Sequence, residues 1–229
     1  MSVRSALVLA TAATLALPSL AATPTFFGPL AYTSSADIPA GFYAAGPTLL
    51  ETLEDGALDS RLAASHGVLL SDGFIGARDS VDADDGSLDG TCGPQTTGRC
   101  ASWFNGAGNE GVTFTYVGSG PAPTAFGLVW TDGAGTITFS AAGADGSSLG
   151  SITASGFADG SFSATTGEDR FFGVQFAGGI RSITITNNSG GIEVDHIQFG
   201  QMAPVPEPGS WALMLAGAGL LALRRRRQA

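Results

Sequence analysis

The stretch "RSITITN" at residues 181–187 alternates polar and apolar side chains without a break. Ile183 and Ile185 share one face, and Thr184 and Thr186 share the other. A period of two puts every second side chain on the same side of an extended chain, which a helix does not do. The pattern predicts a strand with one buried face. It recurs in "GVTFTYV" (111–117) and "GTITFSA" (135–141), and "AFGLVW", "GSITAS", "RFFGVQF" and "GIEVDHIQF" add four further strand candidates. Asp132-Gly133, Asp145-Gly146, Asp159-Gly160 and Asn188-Ser189-Gly190-Gly191 read as turns between them. Many short strands with tight polar turns predict an all-β chain, an antiparallel β-sandwich or jelly roll. The 34 glycines and only 13% charged residues agree, and 44% hydrophobic residues are enough for a real core. Before residue 110 the pattern is less regular. "GPTLLETLEDG" reads as the opening strand, and "LDSRLAASHG" has room for one helical turn.

Both ends of the 229-residue chain depart from this pattern. Arg4 followed by the apolar run "ALVLATAATLALPSL" and the small residues around Ala21 predicts a secretory signal peptide over residues 1–22. The run is shorter than the roughly 20 residues that span a bilayer as a helix. Residues 23–203 form the β-sandwich ectodomain, and residues 204–229 form a separate C-terminal unit. The ectodomain carries five arginines against nineteen acids, a net charge of −14. Such a body repels phosphate backbones, so nucleic acid is excluded as a partner. It suits cations, neutral glycans or plain solubility. No lysine is present, so lysine-based Schiff-base chemistry is excluded too.

The last unit reads "VPEPGSWALMLAGAGLLALRRRRQA". Residues 211–223 are almost all apolar. As a helix they extend about 20 Å, short of a hydrocarbon core about 30 Å thick. Arg224, Arg225, Arg226 and Arg227 would stay cytoplasmic and leave the body outside. Pro206 and Pro208 hold the preceding segment extended. Pro206-Glu207-Pro208, a short apolar transmembrane helix and an arginine-rich end resemble the PEP-CTERM sorting signal of exported Gram-negative proteins. The resemblance implies processing by an exosortase-type enzyme and a transient stay in the inner membrane. Cell-surface or extracellular-matrix delivery and association with exopolysaccharide or biofilm follow from the same resemblance.

Two sequence motifs for catalysis are set aside on context. Gly146-Ser147-Ser148-Leu149-Gly150 fits G-x-S-x-G, but a nucleophile elbow needs a helix after it, and "SITASGF" follows. Gly106 to Gly111 fits G-x-G-x-x-G but precedes a strand rather than opening a helix. His66 and His196 are the only histidines. No catalytic residue is assigned, and the chain is read as a non-enzyme.

Acidic groups carry more information. Asp82, Asp84, Asp85 and Asp89 crowd one segment, with Gly86 and Gly90 permitting sharp turns. Close carboxylates repel by about 4 kcal/mol at an effective dielectric near 20, and calcium, which takes six to eight oxygens, relieves that. A solvated acidic loop is the other reading. The body also loosely resembles jelly-roll carbohydrate-binding modules, in which acids on an early strand and an aspartate on the last strand hold structural calcium. That resemblance places an alternative site at Glu54, Asp55 and Asp195. In "GIEVDHIQF" the apolar phase switches around Asp195-His196, so either both faces are buried or a bulge sits there. Cys92 and Cys100 close a nine-residue loop, and export predicts a disulfide between them.

The function expected is an exported structural or adhesive protein of an exopolysaccharide layer. The alternatives are a calcium-dependent glycan-binding module, stacking sugars on Trp103, Phe104 or Trp130, and a secreted hydrolase.

Overall fold

The computed structural model describes residues 22–70, 80–81, 101–160 and 167–203, together with 215–218, 220, 224 and 226 near the C-terminus. The predicted signal helix at residues 1–21 lies outside the described residues. Ten strands are described: β1 (Thr25–Ala31), β2 (Leu49–Glu51), β3 (Leu62–Ala64), β4 (Val68–Leu70), β5 (Ser102–Asn105), β6 (Val112–Tyr116), β7 (Ala125–Gly143), β8 (Ser148–Ser155), β9 (Arg170–Gln175) and β10 (Ile180–Gly200). All of their pairings are antiparallel. The all-β expectation holds.

Two strands organise everything else. β7 joins "AFGLVW" to "GTITFSA", and β10 joins "RSITITN" to "GIEVDHIQF". Asp132-Gly133 and Asn188-Ser189-Gly190-Gly191, expected to be turns, are instead irregular points inside these long strands. β7 and β10 pair with one another from Ile180↔Gly143 to Gly200↔Ala125, and their register slips at Asn187/Ser189 and Ser189/Ile192. Gly135 and Gly190 adopt left-handed backbone there, with φ of +83° and +71°. A Cβ on Gly135 would strike Asn188 Oδ1, which accepts a hydrogen bond from the Thr136 amide at 2.8 Å. Bulges of this kind bend a ribbon and let one strand serve two layers.

The ribbon accordingly belongs to both halves of a folded-over sheet. Its first half, with the first part of β10 and the last part of β7, recruits β6 and β8, and β3 pairs beyond β6. The other half recruits β9, β1, β5 and β2, with β4 beyond β5. The halves face one another. Phe139 of β7 stacks on Phe172 of β9 at 5.8 Å, and Tyr116 of β6 meets Phe199 of β10 edge-on at 5.1 Å. Ile183, Ile185, Phe114, Phe126, Val194 and Ile197 fill the space between them. Each such side chain, fully buried, contributes about 1.5–3 kcal/mol.

A second apolar cluster covers the opposite face of the β1–β9–β7–β10 half. Tyr32, Phe42 and Val81 pack there on Val129 and Phe171. That half is therefore buried on both sides, whereas the β6–β8 half has one core face and one solvent face. The contrast explains the sequence. Residues 181–186 alternate, but every residue from Ile192 to Gly200 is buried.

Three local expectations change. The opening strand is β1, "TFFGPLA", ahead of the expected "GPTLLETLEDG" segment, which supplies only the short β2. "LDSRLAASHG" holds strand β3 rather than a helical turn, because Leu62 reaches the core through pairing with β6. The G-x-S-x-G stretch is the β7–β8 hairpin. Gly143 donates to the Ser147 carbonyl at 2.8 Å, and Asp145 Oδ1 accepts from the Ser147 amide and hydroxyl. The G-x-G-x-x-G stretch is the loop between β5 and β6.

Candidate functional site

Both readings of the phase switch in "GIEVDHIQF" are realised. The strand is buried on both faces, and its register slips between Asp195 and Gln198. His196 sits at the slip with φ +44°, a left-handed conformation unusual for a non-glycine residue. Its own amide donates to Asp195 Oδ1 at 2.6 Å, which holds the bulge closed.

The bulge turns two polar side chains into a dry region, where they organise a knot. Asp195 Oδ2 accepts the Ser80 hydroxyl at 2.9 Å and the Val81 amide at 3.1 Å. His196 Nδ1 and the Tyr32 hydroxyl share a hydrogen bond of 3.1 Å. The Gln198 side chain donates to the His196 carbonyl at 3.2 Å and accepts from the Tyr43 hydroxyl at 3.3 Å. Ser80, Asp195, His196 and Gln198 are all fully buried. Burial drives the Tyr43 hydroxyl pKa well upward, so it stays protonated and serves as a donor.

The bonds of this knot tie separate stretches of the chain together. A serine, an aspartate and a histidine are neighbours, but the serine bonds the aspartate directly and the histidine bonds a tyrosine. A nucleophile needs the histidine between the other two. What the knot does is pin the 32–43 segment and the Ser80-Val81 segment to the last strand.

The predicted calcium residues divide. Asp82, Asp84, Asp85 and Asp89 lie outside the described residues. So do Cys92 and Cys100. Val81 anchors at Asp195, so the chain enters the acidic run directly from the knot. Of the alternative set, the expected adjacency of an early strand and the last one is present, since β2 pairs with β10 at Ile197↔Glu51. Asp195 uses its oxygens on Ser80, Val81 and His196. Asp55 is exposed, and its Oδ1 caps the Ala57 amide at 2.9 Å. Glu54 lies in the turn after β2. Among the described residues no three acidic, histidine or cysteine side chains are gathered as a metal site.

The acid that organises this region is Glu51, which neither predicted calcium set includes. Its two oxygens accept the Leu53 amide at 2.8 Å and the Asp59 amide at 2.6 Å. Burial raises its pKa, and the two amides and the charges of Asp55 and Asp59 modify the shift. Of the aromatics, Trp130 is core at 1% exposure and presents no face on which a sugar could stack. Trp103 is half-buried, packs edge-on to Phe114 and donates from Nε1 to the His66 carbonyl at 2.7 Å. Phe104 is half-buried beside it.

The last strand ends at Gly200, and the Met202 amide still donates to the Thr124 hydroxyl at 2.8 Å. The described C-terminal residues, 215–218, 220, 224 and 226, are helical. Leu215 and Leu220 are exposed at 73% and 69%, a helix with apolar side chains uncovered. No helix among the described residues is long and apolar enough to cross a membrane.

Residues 204–228 match the family described as the PEP-CTERM protein-sorting motif. The chain therefore carries a PEP-CTERM signal, as its Pro-Glu-Pro, apolar helix and arginine order implied. No curated protein and no solved structure matches the chain. The PEP-CTERM signal makes this an exported protein sorted through its C-terminus. It implies membrane passage, processing by an exosortase-type enzyme and delivery toward the surface of a Gram-negative cell. Arg224 and Arg226 are exposed on the helix, while Pro206, Glu207, Pro208, Arg225 and Arg227 lie outside the described residues.

Proposed function

We propose that the protein is a structural or adhesive component of the exopolysaccharide layer, delivered there by its PEP-CTERM signal and working without catalysis. The observation that carries this reading is the order of parts: an acidic all-β body, a few residues of exit chain, then the sorting motif at 204–228. The body supports it. Its buried serine, aspartate and histidine are wired as a staple, and a sandwich held by two long bent strands suits a load-bearing or binding module better than a reaction cleft. Calcium, if bound, would serve the acidic segment that leaves the knot at Val81.

The test is fractionation of cells carrying the wild-type chain or Pro206→Ala/Glu207→Ala/Pro208→Ala. Wild type should be recovered with exopolysaccharide, shortened at its C-terminus by mass. The variant should keep its C-terminal segment and remain in the inner membrane, because the arginine-stopped helix still inserts. Identical mass and distribution would overturn sorting through this signal. A processed wild type found wholly in polysaccharide-free medium would overturn the matrix role.

A further inference from the structure

The outer face of the β8–β7–β10–β6 layer is a grid of hydroxyls. Register sets Thr138 between Thr186 and Thr153, and Ser140 between Thr184 and Ser151, with Thr113 beyond Thr184. Thr-X-Thr segments at 113–115, 136–138 and 184–186 supply much of it, and the X residues Phe114, Ile137 and Ile185 are buried in the core. The hydroxyl positions themselves are half-exposed or exposed. Strand geometry spaces them about 4.8 Å across strands and about 6.8 Å along them. The Thr113 and Thr184 hydroxyls hydrogen-bond at 2.7 Å, so neighbouring positions are ordered on the same side. At one end of the grid, Asn109, Asn187 and Asn188 join Thr136, Thr138 and Thr186 around a recess of about 210 Å³, on the scale of one sugar ring.

We infer that this face binds a neutral polysaccharide chain, laid across the threonine rows with one sugar seated in the asparagine recess. Four physical features select that occupant. Each threonine presents a donor, an acceptor and a methyl group, which matches the hydroxyls and C–H faces of a sugar. The paired positions of the grid carry no charge on a body of net −14, so an anionic polymer is repelled and a neutral one is not. A second copy of the chain would need apolar or aromatic anchors at the centre of the interface, and the rows have none. Neighbouring strands rotate by about 20–25° each, so a rigid flat lattice meets only part of the face, whereas a flexible chain follows it. The grid also occupies the first part of β10, away from Gly200 and the sorting motif that follows. Attachment at the C-terminus leaves it free.

The assignment deepens the matrix reading by naming its ligand class, and it is tested apart from sorting. The full chain, purified in mild detergent, is run in native gels containing dextran, pullulan or galactomannan, with polygalacturonate as the anionic comparison. At least one neutral polymer should retard it, and polygalacturonate should not. Thr138→Val/Thr184→Val/Thr186→Val keeps β-branched side chains and removes hydroxyls, and each loss should weaken association about five-fold. Asn109→Ala alters only an exposed recess residue and should weaken binding with an unchanged melting curve, which decides the matter if the triple variant fails to fold. Retardation by none of the neutral polymers would overturn the proposal, as would equal retardation by polygalacturonate. Undiminished binding by both variants would refute the site. A doubled mass by light scattering that the triple variant abolishes would assign the face to a second copy instead.

Discussion

Replacing Asp195 by alanine removes the one acceptor that three buried donors share: the Ser80 hydroxyl at 2.9 Å, the Val81 amide at 3.1 Å and the His196 amide at 2.6 Å. Each buried donor left unsatisfied costs about 1–3 kcal/mol. The three are coupled through one carboxylate, so the sum is smaller than three independent losses. A destabilisation of about 3–5 kcal/mol is expected, in the range seen when one partner of a buried polar network is deleted. For a domain of this size that lowers Tm by roughly 6–20 °C. Asp195→Asn keeps one oxygen and should cost less, because its amide group meets a donor on one side only. Ser80→Ala removes a single donor and should cost about 1 kcal/mol. Thermal denaturation of the three variants reads the order, and hydrogen exchange at the Val81 and His196 amides reads the cause. Exchange at Val81 should quicken most in Asp195→Ala and much less in Ser80→Ala, while Asp195→Asn, whose remaining oxygen can stay on Ser80 and Val81, should quicken the His196 amide more than the Val81 amide. A Tm for Asp195→Ala within about 1 °C of wild type, or unchanged exchange at Val81, would refute the staple.

Two further outcomes are expected of residues outside the described ones. Millimolar calcium should raise Tm by roughly 5–10 °C, from about 2.7 kcal/mol at a hundred times Kd, and magnesium at equal ionic strength should do less; equal small shifts would reduce the acidic run at Asp82, Asp84, Asp85 and Asp89 to a solvated loop. Exported protein analysed without reductant should be two hydrogens lighter through a Cys92–Cys100 bond, worth about 2.5 kcal/mol by loop entropy; alkylation of both thiols in unreduced protein would refute the bond.

Much of the site's neighbourhood is legible in the sequence. Alternation in residues 181–187 assigned Ile183 and Ile185 to the core and Thr184 and Thr186 to the outside, because side-chain direction in a strand is a local property. The phase switch at Asp195-His196 marked the bulge for the same reason. Asp145-Gly146 marked a true hairpin, where an aspartate side chain closes on residues two positions away. The C-terminal signal was complete in its own residues, since a sorting motif is read as a linear segment.

What the tertiary structure alone decided was which local signals prevail. Asp132-Gly133 and Asn188-Ser189-Gly190-Gly191 carry the same turn chemistry as Asp145-Gly146, yet they lie inside strands. The glycines allow a bend, but only the presence of a partner ribbon bending with them keeps the backbone hydrogen-bonded through it. Burial of both faces from Ile192 to Gly200 depends on Tyr32, Phe42 and Val81, which arrive from far along the chain. Ser80 reaches Asp195 across 115 positions, a separation that no periodicity encodes. Glu51 bonds two amides only two and eight positions away, but it comes to lie opposite Ile197 through the pairing of β2 with β10. The threonine grid has the same origin. Its rows are visible in the sequence as separate Thr-X-Thr pairs, but strand register is what turns them into one surface.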